Sequence, residues 1–314
     1  MRFFTILFCL LLLSITLSAH KKPSPFLEDI LQEYPNVRDM TLGDNEAYFT
    51  AQSPLGEVSV IMVSHKSRNK WRKPKIASFS GSYSDLEPFL SPDEKRLYFA
   101  SNRPLSSDSS RTKDYDLWVV ERDTPKSKWS APKNMGSTVN TEHNEFYPSL
   151  TLSGNLYFTS DRPDSKGKDD IFLSTHKGNG FETPISLSDS INTPGYEFNA
   201  FIAPDESYLI FSGYNRADGL GSGDLYISFK QSDNSWTGAM NLGAEVNSKF
   251  MDYCPLVDAR SHTLYFTSRR SDVEFGVGGF KSTEALLNEL NKSSNGQSRL
   301  YQTHFKAQNQ KINQ

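Results

Sequence analysis

The sequence has few of the residues that cross-link small domains or build metal and nucleic-acid sites. Only two cysteines occur in 314 residues, which excludes a disulfide scaffold and a cysteine-rich zinc site. The net charge of −3 and the pI near 6.1 argue against a nucleic-acid-binding surface. Charged residues make up 23% and hydrophobic residues 36%, so global disorder is excluded and one sizeable globular domain is expected. The aromatic content of 12% favours strands.

Several signature motifs of enzymes are also missing. The glycine-rich run 219–223 is out of register for a Gly-x-Ser-x-Gly nucleophile turn, and it lacks the Lys-Ser/Thr pair of a phosphate loop. The sialidase-type Ser-x-Asp-x-Gly-x-Thr-Trp box is absent. The six histidines lack metal-ligand spacing, so no metal-binding residues are predicted. Of these histidines, His143 alone is expected near the face of the fold that carries the long loops. No catalytic residue is assigned from motifs.

One long apolar run stands at the N-terminus, from Phe3 to Leu17. With Arg2 before it and small residues after it, the run is typical of a secretory signal peptide over residues 1–19. An uncleaved anchor is the alternative, but the run is shorter than the roughly 20 residues that cross a bilayer. We expect a periplasmic or secreted protein without a stable membrane span after cleavage. Its remaining cysteine, Cys254, is expected to be buried rather than nucleophilic.

A single pattern recurs five times along the chain, at intervals of about 50 to 59 residues. Its most regular part is a short aromatic strand, with copies at 47–50, 97–101, 156–160, 209–212 and 264–268. The spacing is that of propeller blades and is too long for helical solenoid units. We therefore predict an all-β fold, a β-propeller of five blades with four antiparallel strands each, over residues 36–305. A six-bladed ring is the alternative.

The ends of the ring are less regular than its middle. Residues 20–35 are predicted to hold a short helix, capped by Ser24 and beginning at Pro25, and a second helix is predicted from Thr283 to Asn291 in the last long loop. In most copies the fourth strand is predicted to begin with an aromatic residue that a proline follows, as Trp71 precedes Pro74. The fifth copy has no clear fourth strand. Either the polar tail 306–314 or residues before Asn36 would supply it.

The repeats resemble those of a known propeller family. Ser91-Pro92-Asp93 precedes a Leu-Tyr-Phe strand, Ser-x-Arg-Pro follows that strand at Ser101 to Pro104 and at Ser160 to Pro163, and an Asp-Leu/Ile-aromatic strand comes later. These features are similar to the WD-like repeats of TolB-type propellers. The resemblance implies the fold and leaves the activity open, since such propellers range from scaffolds to accessory domains of enzymes.

Strand direction predicts that the long connections share one rim of the propeller. They are 102–115, 161–169, 213–223 and 269–298, whereas the turns on the opposite rim are short. Long loops on one face of a rigid scaffold usually carry binding residues. Four aromatic residues on these loops are candidates to stack on a sugar or on a partner side chain: Tyr115, Tyr214, Phe275 and Phe280.

Charged residues repeat on the same rim. Acids stand at the start of four inner strands: Asp85, Glu145, Glu197 and Asp252. Arginines follow the second strands, at Arg103, Arg162, Arg216 and Arg270. Aspartates begin the third strands, at Asp116, Asp170 and Asp224. In one interpretation each arginine pairs with the third-strand aspartate of its own blade as a structural clasp. In the other, the four inner acids form a binding ring for a cation or a sugar.

The repetition itself favours the clasp. A motif copied in every blade serves the blade, whereas catalysis at a propeller mouth needs unlike groups. We therefore expect an exported, non-catalytic scaffold that binds a protein or a cell-envelope polymer, and no nucleic acid, through its long-loop face. One alternative is a carbohydrate-active enzyme of the glycoside hydrolase type that uses the acidic ring. A second is a calcium-dependent, lectin-like module, which makes calcium the one candidate cofactor.

Overall fold

The computed structural model describes residues 22–106 and 112–307. The expected signal peptide and the end of the polar tail lie outside these residues. The described chain is an all-β propeller of five four-stranded blades with two short helices, as predicted. None of the helices within the described ranges is both long and apolar enough to cross a bilayer.

The blades follow one another in chain order, each beginning at its inner strand. A leading segment holds β1 (Ser24–Pro25) and α1 (Glu28–Leu31). Blade 1 holds β2 (Asn36–Leu42), β3 (Glu46–Gln52), β4 (Ser59–Ser67), β5 (Lys70–Trp71) and β6 (Lys75–Ile76). Blade 2 holds β7 (Asp85–Leu90), β8 (Arg96–Ser101), β9 (Asp116–Glu121) and β10 (Lys133–Asn134).

The second half of the ring repeats this arrangement. Blade 3 holds β11 (Glu145–Leu150), β12 (Leu156–Ser160), β13 (Asp170–Ser174), β14 (His176–Lys177), β15 (Gly180–Phe181) and β16 (Ile185–Ser186). Blade 4 holds β17 (Tyr196–Ile202), β18 (Tyr208–Tyr214), β19 (Gly223–Phe229) and β20 (Met240–Asn241). Blade 5 holds β21 (Asp252–Asp258), β22 (Thr263–Ser268) and β23 (Arg299–His304), with α2 (Thr283–Leu290) in the loop before β23.

The core lies between neighbouring blades, where the aromatic second strands stack. The phenylalanine of each repeated strand is fully buried: Phe49, Phe99, Phe158, Phe211 and Phe266. Strands with both faces covered read as continuous apolar runs, which explains why the repeat is so apolar. Burial of one such side chain contributes about 1.5–3 kcal/mol, so radial stacking of the blades stabilises the disc.

The N-terminal segment closes the ring. β1 pairs antiparallel with β23 at Ser24 and Pro25, and therefore forms the outer strand of blade 5. The residues before Asn36 thus supply the missing strand. The predicted helix start at Pro25 is wrong, because these residues belong to a strand and the helix is only Glu28–Leu31. An outer edge strand tolerates proline, since no further strand needs its N–H.

The short fourth strands begin later than predicted. β6, β10 and β16 begin just after Pro74, Pro132 and Pro184, whereas Trp129 precedes β10 without belonging to a strand. Trp71 and Phe181 lie in small hairpin strands next to the blade. The aromatic residue thus covers the blade before the chain joins its edge.

Removal of the aromatic ring that anchors the closing strand is expected to destabilise the whole disc. Phe26 packs its edge on Tyr265 of blade 5 at 4.8 Å and on Trp71 of blade 1 at 6.4 Å. Phe26→Ala should therefore lower the free energy of unfolding by about 2 kcal/mol, less than a fully buried Phe because the ring is partly exposed. Urea unfolding followed by fluorescence measures the change, with the exposed Leu55→Ala as control. Equal midpoints would contradict closure through this contact.

Candidate functional site

Every inner strand bulges at the same position. The pairing with the second strand shifts register once in each blade. The bulged residue has a positive φ in all five blades, at Asp39 (39°), Glu87 (59°), Tyr147 (49°), Asn199 (51°) and Cys254 (52°). None of them is glycine, so each stores backbone strain that the surrounding structure must offset. Bulges aim side chains away from the regular pleat, and here they meet at the axis.

The five bulged residues are unlike one another and buried, at most 8% exposed. Hydrogen bonds join blades that are not neighbours. Asn199 Nδ2 donates to Glu87 Oε1 at 3.1 Å, and Tyr147 Oη donates to the carbonyl oxygen of Pro255 at 2.9 Å. Such contacts form only across the axis of the ring. We call these five residues together with Arg38 the channel cluster.

Arg38 joins the two carboxylates of the channel cluster. Its Nη2 donates to Glu87 Oε1 at 2.5 Å, and its Nε lies 2.9 Å from Asp39 Oδ2. Its guanidinium also lies 5.3 Å from the ring centroid of Tyr253. Asp39, Glu87 and Cys254 offer ligand atoms within 4.8 Å of one another, a spacing that would suit a cation. Arg38, at 18% the most exposed of the charged groups, supplies the positive charge between the carboxylates.

Glu87 accepts the N–H of a bulged residue, as a hydroxyl group does elsewhere in the ring. The bulge N–H of Asp39 donates to Thr267 Oγ1 of the preceding blade at 2.9 Å. In blade 2, Ala100 stands where other second strands have such a hydroxyl, and the N–H of Tyr147 donates to Glu87 Oε2 at 2.8 Å instead. Glu87 is therefore held on both oxygens.

The two carboxyls of the channel cluster have perturbed pKa values. Burial is the main cause that raises the pKa of Glu87 from 4.5 to about 7, against the opposing attraction of Arg38. Burial likewise raises the pKa of Asp39. Glu87 therefore keeps a proton at a pH where an exposed glutamate has lost it. A carboxylic acid that is still protonated near neutral pH can act as a general acid.

Stability is expected to fall as the pH rises from about 4.5 to about 7. Over this range the folded protein holds a proton on Glu87 that the unfolded chain has released, so the stability present at low pH is lost on passing the folded pKa. The loss should be on the order of 3 kcal/mol. Urea unfolding across this pH range measures the free energy of unfolding, and Glu87→Gln should reduce its dependence on pH. A wild-type curve parallel to that of the variant would contradict the raised pKa.

The four predicted inner acids do not form an open ring. All four are fully buried, and each pairs with an arginine of its own blade. The four pairs are Asp85–Arg103 at 2.6 Å, Glu145–Arg162 at 3.1 Å, Glu197–Arg216 at 3.1 Å and Asp252–Arg270 at 2.8 Å. The arginines are therefore clasps, but their partners are the inner acids. The predicted pairing with the third-strand aspartates is wrong.

The third-strand aspartates fasten the long loops in another way. Asp170 accepts from the backbone N–H of Lys166 at 2.9 Å and from Ser186 Oγ at 2.6 Å. Asp224 accepts from the N–H of Gly221 at 3.1 Å and from Asn241 Nδ2 at 2.8 Å. Asp116 is bound by Lys113 and Asn134. These aspartates lie two strands further from the axis than the acids, which places them beside the loop backbone and beyond the arginines.

The aromatic residues predicted on the long loops do not gather at one point. Tyr115 packs on Phe146 at 5.2 Å, and Phe146 contacts the channel cluster at its rim. Tyr214 pairs with Tyr196, and Phe275 pairs with Phe280 in the blade 5 loop. His143 is half-buried, and its N–H donates to Thr141 Oγ1. Cys254 is buried, as predicted.

Sequence reasoning missed Arg38, Asp39 and Glu87. The signal that was available is a proline inside the inner strand, which follows Glu87, Tyr147 and Cys254. Proline inside a central strand indicates a bulge, and a bulge re-aims the residue beside it. The channel cluster also has the unlike groups that the repeated acids lack.

The fold is shared with solved structures of other proteins. An endo-arabinase from Bacteroides thetaiotaomicron is 12% identical, with a TM-score of 0.53, over 92% of this chain and 98% of that one. A GH62 hydrolase solved with xylotriose is 10% identical, with a TM-score of 0.52, over 89% and 94%. An α-L-arabinofuranosidase from Lactobacillus brevis is 14% identical, with a TM-score of 0.50, over 86% and 92%. At these identities the likeness establishes the fold.

The neighbours correct one expectation from the sequence. They are described as enzymes that act on carbohydrates. The expectation of a non-catalytic scaffold is therefore wrong. No family profile and no curated protein sequence matches the chain, so the resemblance to TolB-type repeats stays a prediction.

Proposed function

We propose that this protein is a carbohydrate-active enzyme that cleaves glycosidic bonds at the axis of the propeller. The observation that carries the proposal is the pair of unlike, buried carboxyls, Asp39 and Glu87, at equivalent bulges of adjacent blades. Hydrolysis of a glycoside needs two carboxyl groups whose environments keep them in different protonation states. The repeated inner acids have no such asymmetry, and their arginine partners occupy them.

Within the pair, we assign the acid role to Glu87. Its raised pKa keeps the proton that the leaving glycosidic oxygen must receive. Asp39, held by Thr50 Oγ1 at 2.6 Å, would face the anomeric carbon as a carboxylate. Water supplies the hydroxyl that replaces the leaving group, and its remaining proton restores the acid. Each turnover then leaves both carboxyls as they began.

Arg38 controls access to this pair. Its guanidinium lies between Asp39 and Glu87, in the space that a sugar ring would need. It is more exposed than either carboxyl group, and we propose that its side chain rotates away from the pair when a sugar binds. The two released carboxyl groups would then face the sugar. In the absence of substrate, Arg38 thus blocks the proposed active site.

A hydrolysis panel tests the proposal. The wild-type protein is incubated with arabinan, arabinoxylan and their oligosaccharides, and released sugars are quantified by chromatography. Release is expected with at least one substrate, and Asp39→Asn should abolish it. Leu55→Ala, an exposed position away from the axis, is the matched control and should retain full activity. No release from any glycan, or equal release by Asp39→Asn, would overturn the proposal.

Place and partner follow from the same proposal. A polysaccharide substrate suits an exported protein, so we propose that this protein acts outside the cytoplasm after removal of the signal peptide, residues 1–19. A cell-envelope polymer would then be a substrate or a product of the enzyme. Fractionation of the producing cells with an antibody against the propeller checks the location, and recovery only from the cytoplasm would contradict it.

A further inference from the structure

A cleft lies on the rim opposite the long loops. It has a volume of about 780 Å³ between blades 1 and 2, within the range of small-molecule sites. Its walls are the turns 44–46 and 92–94 and the connection 125–129. Its floor holds Tyr48, Arg122 and Trp129. No channel cluster residue lines this cleft, so it is separate from the proposed active site.

Hydrogen bonds preorganise the floor of the cleft. Trp129 Nε1 donates to Tyr48 Oη at 2.9 Å, and Tyr48 Oη donates to Glu46 Oε2 at 3.1 Å. Arg122 pairs with the same oxygen of Glu46 at 2.8 Å, and its guanidinium lies 4.1 Å from the ring centroid of Trp129. Arg122 is almost wholly buried, whereas Trp129 is partly exposed. The floor therefore holds the partly exposed indole of Trp129 and the carboxylate of Glu46 in fixed positions.

The corresponding junction between blades 3 and 4 covers its tryptophan more fully. There Tyr157 Oη donates directly to Glu206 Oε1 at 3.0 Å, and Lys230 pairs with Glu206 at 3.0 Å. Trp236, the counterpart of Trp129, is only 7% exposed.

Glu94 is the turn residue that corresponds to Glu206. At the junction of blades 1 and 2 it accepts the N–H of Asp44 at 2.6 Å and lies 3.9 Å from Arg122, while Glu46 takes its place as the acceptor of the Tyr48 hydroxyl. A junction that repeats between blades has a structural role. The junction between blades 1 and 2 differs from that repeat, so its cleft needs another explanation. We propose that this cleft binds a neutral oligosaccharide.

The composition of the lining indicates the class of ligand. Carboxylates and cations are nearly balanced there: Asp44, Glu46, Asp93 and Glu94 against Lys66, Lys75, Arg122, Lys126 and Lys128. Near balance disfavours a polyanion or polycation, and so many charged groups disfavour a lipid. Carboxylates and lysines can serve the alternating donors and acceptors of hydroxyl groups. The indole adds an aromatic surface for sugar C–H groups.

Nuclear magnetic resonance on the full chain tests this site. The indole N–H signal of Trp129 is identified by its loss in Trp129→Phe, and xylotriose and arabinotriose are titrated into Glu87→Gln, so that hydrolysis does not interfere. Either sugar is expected to shift the Trp129 signal at millimolar concentration. Glu46→Gln should weaken binding at least about tenfold. Glu182→Gln, an exposed carboxylate on blade 3, should leave it unchanged.

A second variant guards against a folding defect in the first. Ile76 lies on the wall of the cleft with 57% of its surface exposed, so Ile76→Trp should fill the cleft without disturbing the core, and should abolish the shift. An unmoved Trp129 signal would overturn the proposal, as would a shift that persists in Ile76→Trp. A shift produced by a mixed-charge peptide and by neither sugar would also overturn it. A Trp129 shift without any glycan hydrolysis would refute the active site alone.

Discussion

Glu87→Gln is expected to lower the rate of glycan hydrolysis by at least about 100-fold, the ordinary contribution of a positioned general acid. Glutamine retains the shape of the side chain and can still accept the N–H of Tyr147, but it has no proton to give to the leaving oxygen. The wild-type rate should fall as the pH rises above about 7, where Glu87 loses its proton. This fall should disappear from the residual activity of the variant.

A matched substitution at a clasp separates catalysis from folding. Glu197 is as buried as Glu87 and lies on an inner strand too, but it is paired with Arg216. Glu197→Gln should lower the free energy of unfolding while the folded fraction retains the wild-type dependence of rate on pH. If Glu197→Gln and Glu87→Gln lost activity alike, Glu87 would have no special role in the chemistry.

Arg103→Ala is expected to lower the free energy of unfolding by about 3–5 kcal/mol, because it leaves the fully buried Asp85 without a counter-charge. Arg103 also donates to Ser101 Oγ at 2.8 Å and to the carbonyl oxygen of Phe79 at 3.2 Å. Its guanidinium lies 5.0 Å from the ring centroid of Phe99. The substitution therefore removes an ion pair, two hydrogen bonds and aromatic packing together.

Urea unfolding measures this loss, and an exposed ion pair provides the control. Lys177 and Glu182 pair at 2.8 Å with side chains 78% and 45% exposed. Lys177→Ala should change the free energy of unfolding by no more than about 1 kcal/mol. Arg103→Lys should recover only part of the stability, since lysine lacks the planar fork. A loss for Arg103→Ala as small as that for Lys177→Ala would refute the clasp.

The clasps show how much of the ion pairing the sequence repeat could predict. The acids and arginines recur in four blades, and recurrence alone indicated a structural role for the arginines. Their partners could not be predicted, because both the inner acid and the third-strand aspartate were within reach of the loop. The structure places Asp85 and Asp116 on either side of Ser101, two residues from Arg103. Asp116 is bound by Lys113 and Asn134, and Arg103 pairs with Asp85.

The sequence by itself determined the five blades, the long loops on one rim and the burial of Cys254. Local periodicity and turn chemistry repeat along the chain, and one blade is much like the next. Only the tertiary structure decided that Ser24–Pro25 closes the ring and that Arg38, Asp39, Glu87 and Asn199 meet at the axis. These residues are far apart along the chain and differ from blade to blade. Their meeting depends on five bulges that turn unlike side chains towards a common axis, which no single repeat encodes.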